Sequence, residues 1–177
     1  MMRRLVLALA FVLCVAAIAA VSAGARTSKS AFEVFVEPTI SAARDGLTLE
    51  SELEGSFNVA NKTATGSGTY AVMDGTTVVD SGTFTLTRLV AFQFYGCGEV
   101  EGTELPPDFC GGRALFRFHA TSTFNGEETV GNYEVNCQIH DPGGKTPRGT
   151  SEGIKANARG INFNKHVTGD NLFVMLP

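Results

Sequence analysis

The chain has 177 residues, 44% of them hydrophobic, with 14 Lys and Arg against 18 Asp and Glu for a net charge of −4. That length suits one ordinary domain able to bury a sizeable core without metal or many disulfides. The acidic balance, with basic residues scattered singly, argues against a nucleic-acid partner, which calls for clustered Lys and Arg.

Residues 1–25 read as an export signal. Met1-Met2-Arg3-Arg4 supplies the positive charge, Leu5 to Val21 is apolar, and Ala23-Gly24-Ala25 offers small residues for cleavage. An uncleaved membrane anchor is the competing reading, but the Ala-rich stretch and its small-residue ending favour cleavage. Cys14 follows Leu13 rather than a small residue, so lipid anchoring is not expected. The expected mature chain, 26–177, carries 12 basic and 18 acidic residues, a net charge of −6. It is expected to be secreted or otherwise extracytoplasmic, with no stable membrane insertion once the signal is removed.

Strand patterns fill the rest. Phe32 to Val36 forms a short apolar run, and Ile40 to Arg44 could make one helical turn. From Leu47 to Val59 the odd positions are mostly apolar and the even ones carry Glu50, Glu52 and Glu54, which is a strand with one wet face. Asn61-Lys62 marks a turn, and Asn61-Lys62-Thr63 is a glycosylation sequon that has meaning only in a eukaryotic source. Thr65 to Met73 alternates until Asp74-Gly75, a dipeptide suited to a tight hairpin. Gly82 to Tyr95 is the longest pattern, with Phe84, Leu86, Val90, Phe92 and Phe94 expected on one face. Ser67-Gly68-Thr69-Tyr70 recurs 14 residues later as Ser81-Gly82-Thr83-Phe84, which suggests that each Gly makes room for a facing ring.

The strongest local signal is Asn125-Gly126, set between alternating runs at 113–124 and 127–140. Read as a two-residue type I′ turn, it pairs residues whose numbers sum to 251. Val135 then faces Phe116, Tyr133 faces Phe118 and Cys137 faces Ala114, and this side, which also carries Ala120 and Phe124, is a core. The other side sets Arg117 opposite Glu134, His119 opposite Asn132 and Arg113 opposite Gln138, as cross-strand charge pairing prefers. A turn-rich segment follows at 141–147, then apolar runs around Gly153 to Ala158, Ile161 to Asn164 and Leu172 to Leu176.

These patterns predict an all-β fold: a single antiparallel domain of about nine or ten strands with little helix. Consecutive hairpins favour an up-and-down barrel over a two-sheet sandwich. The likeness to lipocalins is one of shape and carries no function.

Candidate chemistry is sparse. After export three cysteines remain, and Cys97 and Cys110, at the ends of two strand patterns, are the expected disulfide in an oxidising compartment. Cys137 is left as a buried thiol or an intermolecular link. Glu99, Glu101, Glu104 and Asp108 in the intervening loop are oxygen donors of the kind that hold calcium, though their spacing fits no calcium loop and a rigid acidic rim is the plainer reading. Cys137, His140 and Asp141 could contribute to zinc only against strand alternation. Gly144-Lys145-Thr146 lacks the earlier Gly of a phosphate-binding loop, because Ile139 stands there. The polar face of Arg113, Arg117, His119, Asn132, Glu134, Asn136, Gln138 and His140 holds a candidate acid/base pair, His119 with Glu134, but a solvated hairpin presents the same face and is the plainer reading.

No cofactor is implied. The leading expectation is a secreted non-enzymatic binding module for a small apolar molecule, with Phe116, Phe118, Tyr133, Val135, Phe92 and Phe94 as candidate lining. The alternative is an extracellular assembly subunit that pairs with other copies through an edge strand or Cys137. A small hydrolase or isomerase comes third.

Overall fold

A computed structural model describes residues 30–100, 102–140 and 151–177. The export segment 1–25, Glu101 and the turn-rich segment with Gly144-Lys145-Thr146 lie outside them. Eleven strands are present: β1 Ala31–Ala43, β2 Thr48–Asn58, β3 Thr63–Asp74, β4 Thr77–Cys97, β5 Glu99–Val100, β6 Thr103–Glu104, β7 Phe109–Ser122, β8 Glu128–Cys137, β9 Gly153–Ala158, β10 Ile161–Thr168 and β11 Asn171–Met175. No described residue is helical. The one turn of helix expected at 40–44 is instead the end of β1, where Ile40 to Ala42 pair with both β2 and β10 and Ala43 pairs with β10.

The pairing is antiparallel and up-and-down, and it closes on itself. β1, β2, β3, β4, β7, β8, β9 and β10 follow one another in bonding order, and β10 returns to β1. Closure leaves these eight strands with a neighbour on each side over part of their length, which removes the open edge that a flat sheet would present.

The ring differs in width at its two ends because β1 changes partner. Phe32 to Val36 pair with β11, whereas Ile40 to Ala43 pair with β10. The switch falls at a bulge, where Glu37 and Pro38 together oppose a single residue of β2. Pro38 has no amide to give a ladder, so a bulge is where a strand tolerates it. The extra residue also reverses parity: Phe32, Val34 and Val36 are buried before it, Thr39 and Ser41 after it. On its other side β11 bonds β7 at Phe109 and Cys110, below the end of β8. At this end a single strand, β11, therefore stands in for β8, β9 and β10.

The narrow end is filled with phenylalanine. The Phe57 ring centre lies 5.3 Å from Phe32, 5.0 Å from Phe92, 5.4 Å from Phe116 and 5.7 Å from Phe173. Most of these contacts are edge-to-face, the arrangement that ring quadrupoles favour. The Cys97–Cys110 disulfide lies at the same end, between residues directly opposite on β4 and β7, and closes the base of the β5–β6 ribbon as expected.

Two details of register differ from the sequence pattern. The β7–β8 pairs sum to 249: Ala114 faces Val135, Phe116 faces Tyr133 and Gly112 faces Cys137. Asn125 does not adopt positive φ, so the hairpin is not the two-residue type I′ turn. The turn spans four residues instead. Ser122 N donates to Glu127 O at 3.0 Å, Gly126 N donates to Ser122 O at 3.0 Å, and the Asn125 side chain accepts from Glu127 N at 2.8 Å. A slip of two keeps every side chain on its face, so the core assignment stands except for Phe124, which is 60% exposed at the turn.

Along β4, three irregularities in its pairing with β7 break the alternation. Phe84 and Leu86 are buried as expected, but Leu89 and Tyr95 take over the buried positions and Phe94 turns outward.

Candidate functional site

The four hairpin turns at 44–47, 75–76, 123–127 and 159–160 gather at the wide end, since alternate turns of an up-and-down ring share an end. Between them opens a cavity of about 250 Å3. Its walls are apolar and come from all round the ring: Leu49, Phe84, Phe118, Tyr133, Ala156 and Phe163 point into it. Alanines at 120, 156 and 158 leave space that bulkier residues would fill.

Glycines help to keep the interior open. Gly68 faces Phe84 and Tyr70 faces Gly82 across β3–β4, while Phe118 faces Gly131 across β7–β8. In each case a Cβ on the glycine would stand 2.7 to 2.8 Å from the ring, so the ring lies against bare backbone. The repeated Ser-Gly-Thr-aromatic segment is thus a reciprocal pair of such contacts.

Polar groups break the apolar lining in two places. Deep in the cavity Ser51 Oγ and Tyr133 OH form a buried hydrogen bond of 2.8 Å. Burial holds the Tyr133 phenol well above its ordinary range, with the Ser51 bond partly offsetting it, so it is a neutral group. At the mouth the Asp80 carboxylate accepts from Ser122 Oγ at 2.6 Å and from Tyr70 OH at 3.3 Å. Burial first, and the neighbouring Asp80 charge next, push the Tyr70 phenol upward. Arg159, at a positive φ in the β9–β10 turn, also lines the mouth. Its Nη2 lies 2.9 Å from Glu127 Oε1, and its Nε donates to Thr129 Oγ1.

Of the six lining candidates read from the sequence, Phe118 and Tyr133 line this cavity. Phe116 and Val135 are fully buried in the core, Phe92 packs in the phenylalanine cluster and Phe94 is 43% exposed. Asp80, Arg159, Tyr70 and Ser51 were missed. Ser51 had a visible signal, as the polar exception between Leu49 and Leu53 on an apolar face.

The outer face of β7 and β8 is arranged differently from the expected pairs. Leu115, not Arg117, lies opposite Glu134, and Arg113 lies opposite Asn136 rather than Gln138. Glu134 is reached diagonally by Arg113 Nη2 at 2.6 Å, and Lys155 Nζ stands 3.2 Å from its other oxygen as an ion pair without hydrogen-bond alignment. The carboxylate raises the Arg113 guanidinium above its ordinary value, chiefly through that hydrogen bond. Arg117 Nη1 donates to Asn132 Oδ1 at 3.0 Å. His119 faces Val130, not Asn132, and its Nε2 lies 3.5 Å from Glu128. His119 and Glu134 are therefore not neighbours: four residues of strand, about 13 Å, separate Glu134 from the residue facing His119, and two cations already occupy the carboxylate.

Cys137 is a free thiol with no exposed surface. Burial, followed by the nearby Glu152 charge, pushes it up to about 12. Glu152 is itself raised by burial. In the acidic loop Glu99 and Glu104 face each other on β5 and β6, Asp108 follows and Glu101 lies outside the described residues. Among the described residues no three His, Cys, Asp or Glu side chains gather closely enough to hold a metal ion, and no helix is long and apolar enough to cross a membrane. Comparison of the chain with protein-family models, curated proteins and solved structures finds no match.

Proposed function

We propose that this protein is a non-enzymatic binding module, working outside the cytoplasm, that holds one small apolar molecule in the wide end of its strand ring. The observation that carries this reading is the contrast between the ends: phenylalanines pack the narrow end, while the wide end keeps about 250 Å3 behind an apolar wall. A solidly packed interior would be the cheaper design, because voids forfeit contacts. Binding pockets pair such walls with a few placed polar groups, a description that the Ser51 and Tyr133 hydroxyls fit. The disulfide and the apolar leader in the sequence support an oxidising, extracytoplasmic setting.

Titration with naphthalene, followed by the hydrocarbon's own fluorescence, tests the reading, with native mass spectrometry of protein from its own host as a second readout. Saturable one-to-one binding that is lost in Ala156→Phe, a variant that fills the cavity, is the expected result. No binding by the unaltered protein and no adduct of a few hundred daltons would overturn it.

A further inference from the structure

The mouth of the cavity carries an imbalance of charge. Asp80 and Arg159 both border it, but they are not equivalent. The Arg159 guanidinium is neutralised by Glu127 at 2.9 Å and further held by Thr129. Asp80 has only neutral donors, the Ser122 and Tyr70 hydroxyls, and no ion pair joins it to a basic side chain among the described residues. An ionised carboxylate offers about four acceptor positions, so two donors leave it with capacity to spare.

From this geometry we infer that the cavity takes a cationic amphiphile, a primary or secondary amine whose apolar body fills the wide end and whose ammonium group pairs with Asp80 at the mouth. This inference rests on the binding reading above. The hydroxyls of Ser122 and Tyr70 hold the carboxylate in place before a guest arrives, which lowers the ordering cost of binding. Tyr70 and Phe84 stand among the aromatic residues that line the cavity, and an ammonium group is attracted to aromatic rings. An anionic guest would meet the unpaired Asp80 charge and would have to displace Glu127 from Arg159. A neutral guest would gain the apolar contacts alone.

The test is calorimetric titration at pH 7 and low salt with three probes of nearly equal shape: 2-phenylethylamine, 2-phenylethanol and 3-phenylpropanoate. The amine is expected to bind at least about tenfold tighter than the alcohol, and the carboxylate most weakly of the three. Asp80→Asn should remove the preference for the amine, so that amine and alcohol bind with similar affinity. The preference in the unaltered protein should also shrink as salt screens the pair, a readout that does not depend on the variant folding. Equal affinity for amine and alcohol, or a preference that survives Asp80→Asn, would overturn the inference and leave the cavity reading intact. Failure of all three probes to bind would overturn the inference, and the naphthalene titration then decides separately whether the cavity reading falls with it.

Discussion

Gly68 stands directly opposite Phe84, and a methyl group on it would lie 2.7 Å from two carbons of that ring and 2.1 Å from the Glu52 carbonyl oxygen. The carbonyl belongs to the β2–β3 ladder and cannot yield, and the ring could give way only by moving into the cavity. Gly68→Ala is therefore expected to destabilise by about 2 to 3 kcal/mol through overpacking, read from urea unfolding. Thr69→Ala, one residue along on the exposed outer face, should stay within about 0.5 kcal/mol. Equal effects would refute the claim that the glycine is there for the ring.

Phe57 is the hub of the narrow end, in contact with four other rings. Truncation to Ala should cost about 3 to 5 kcal/mol, the range for a large buried aromatic whose neighbours cannot collapse into the space. Phe94→Ala should cost far less, because that ring is 43% exposed. Thermal melts of the two variants side by side would show whether the plug is as tightly built as its ring distances imply.

The buried thiol sets an alkaline limit on stability. Folded Cys137 keeps its proton up to about 12, against an ordinary value of 9.0. Between those values the folded chain binds more protons than the unfolded one. Stability from this group is therefore full below about pH 9 and falls as pH rises toward 12. The slope is at most one proton's worth, about 1.4 kcal/mol per pH unit. Tyr133, raised by burial, adds a decline of the same sign above about pH 10. Cys137→Ala should flatten urea-unfolding stability between pH 9 and 10. Iodoacetamide at pH 8 should leave the native Cys137 unmodified in a peptide map, and labelling of the folded protein would contradict its burial.

Much of this architecture was legible because period-2 patterns report faces directly. β2 and β3 lie where the alternation placed them, β9 lies where a short apolar run did, and Gly68 and Gly82 face rings as the repeat suggested. What escaped is what alternation cannot encode. The Asn125 side chain, by accepting from Glu127, builds a four-residue turn and moves every β7–β8 pair by two, so the faces came out right and the partners wrong. Bulges in β1 and β4 reverse parity, which is how Leu89 and Tyr95 came to be buried in place of Phe94. The mouth was harder still. Asp80 sits just before the run read as a strand from Gly82, and its neighbours Tyr70 and Ser122 come from β3 and β7. The pairing of β4 with β3 on one side and β7 on the other brings those three together.

The substitution of β11 for three strands at one end has a directional consequence. With rings packed around Phe57 behind it, the interior is blocked at that end and opens between the hairpin turns at the other. On the binding reading proposed above, a guest would come and go at the threshold where Asp80 and Arg159 stand.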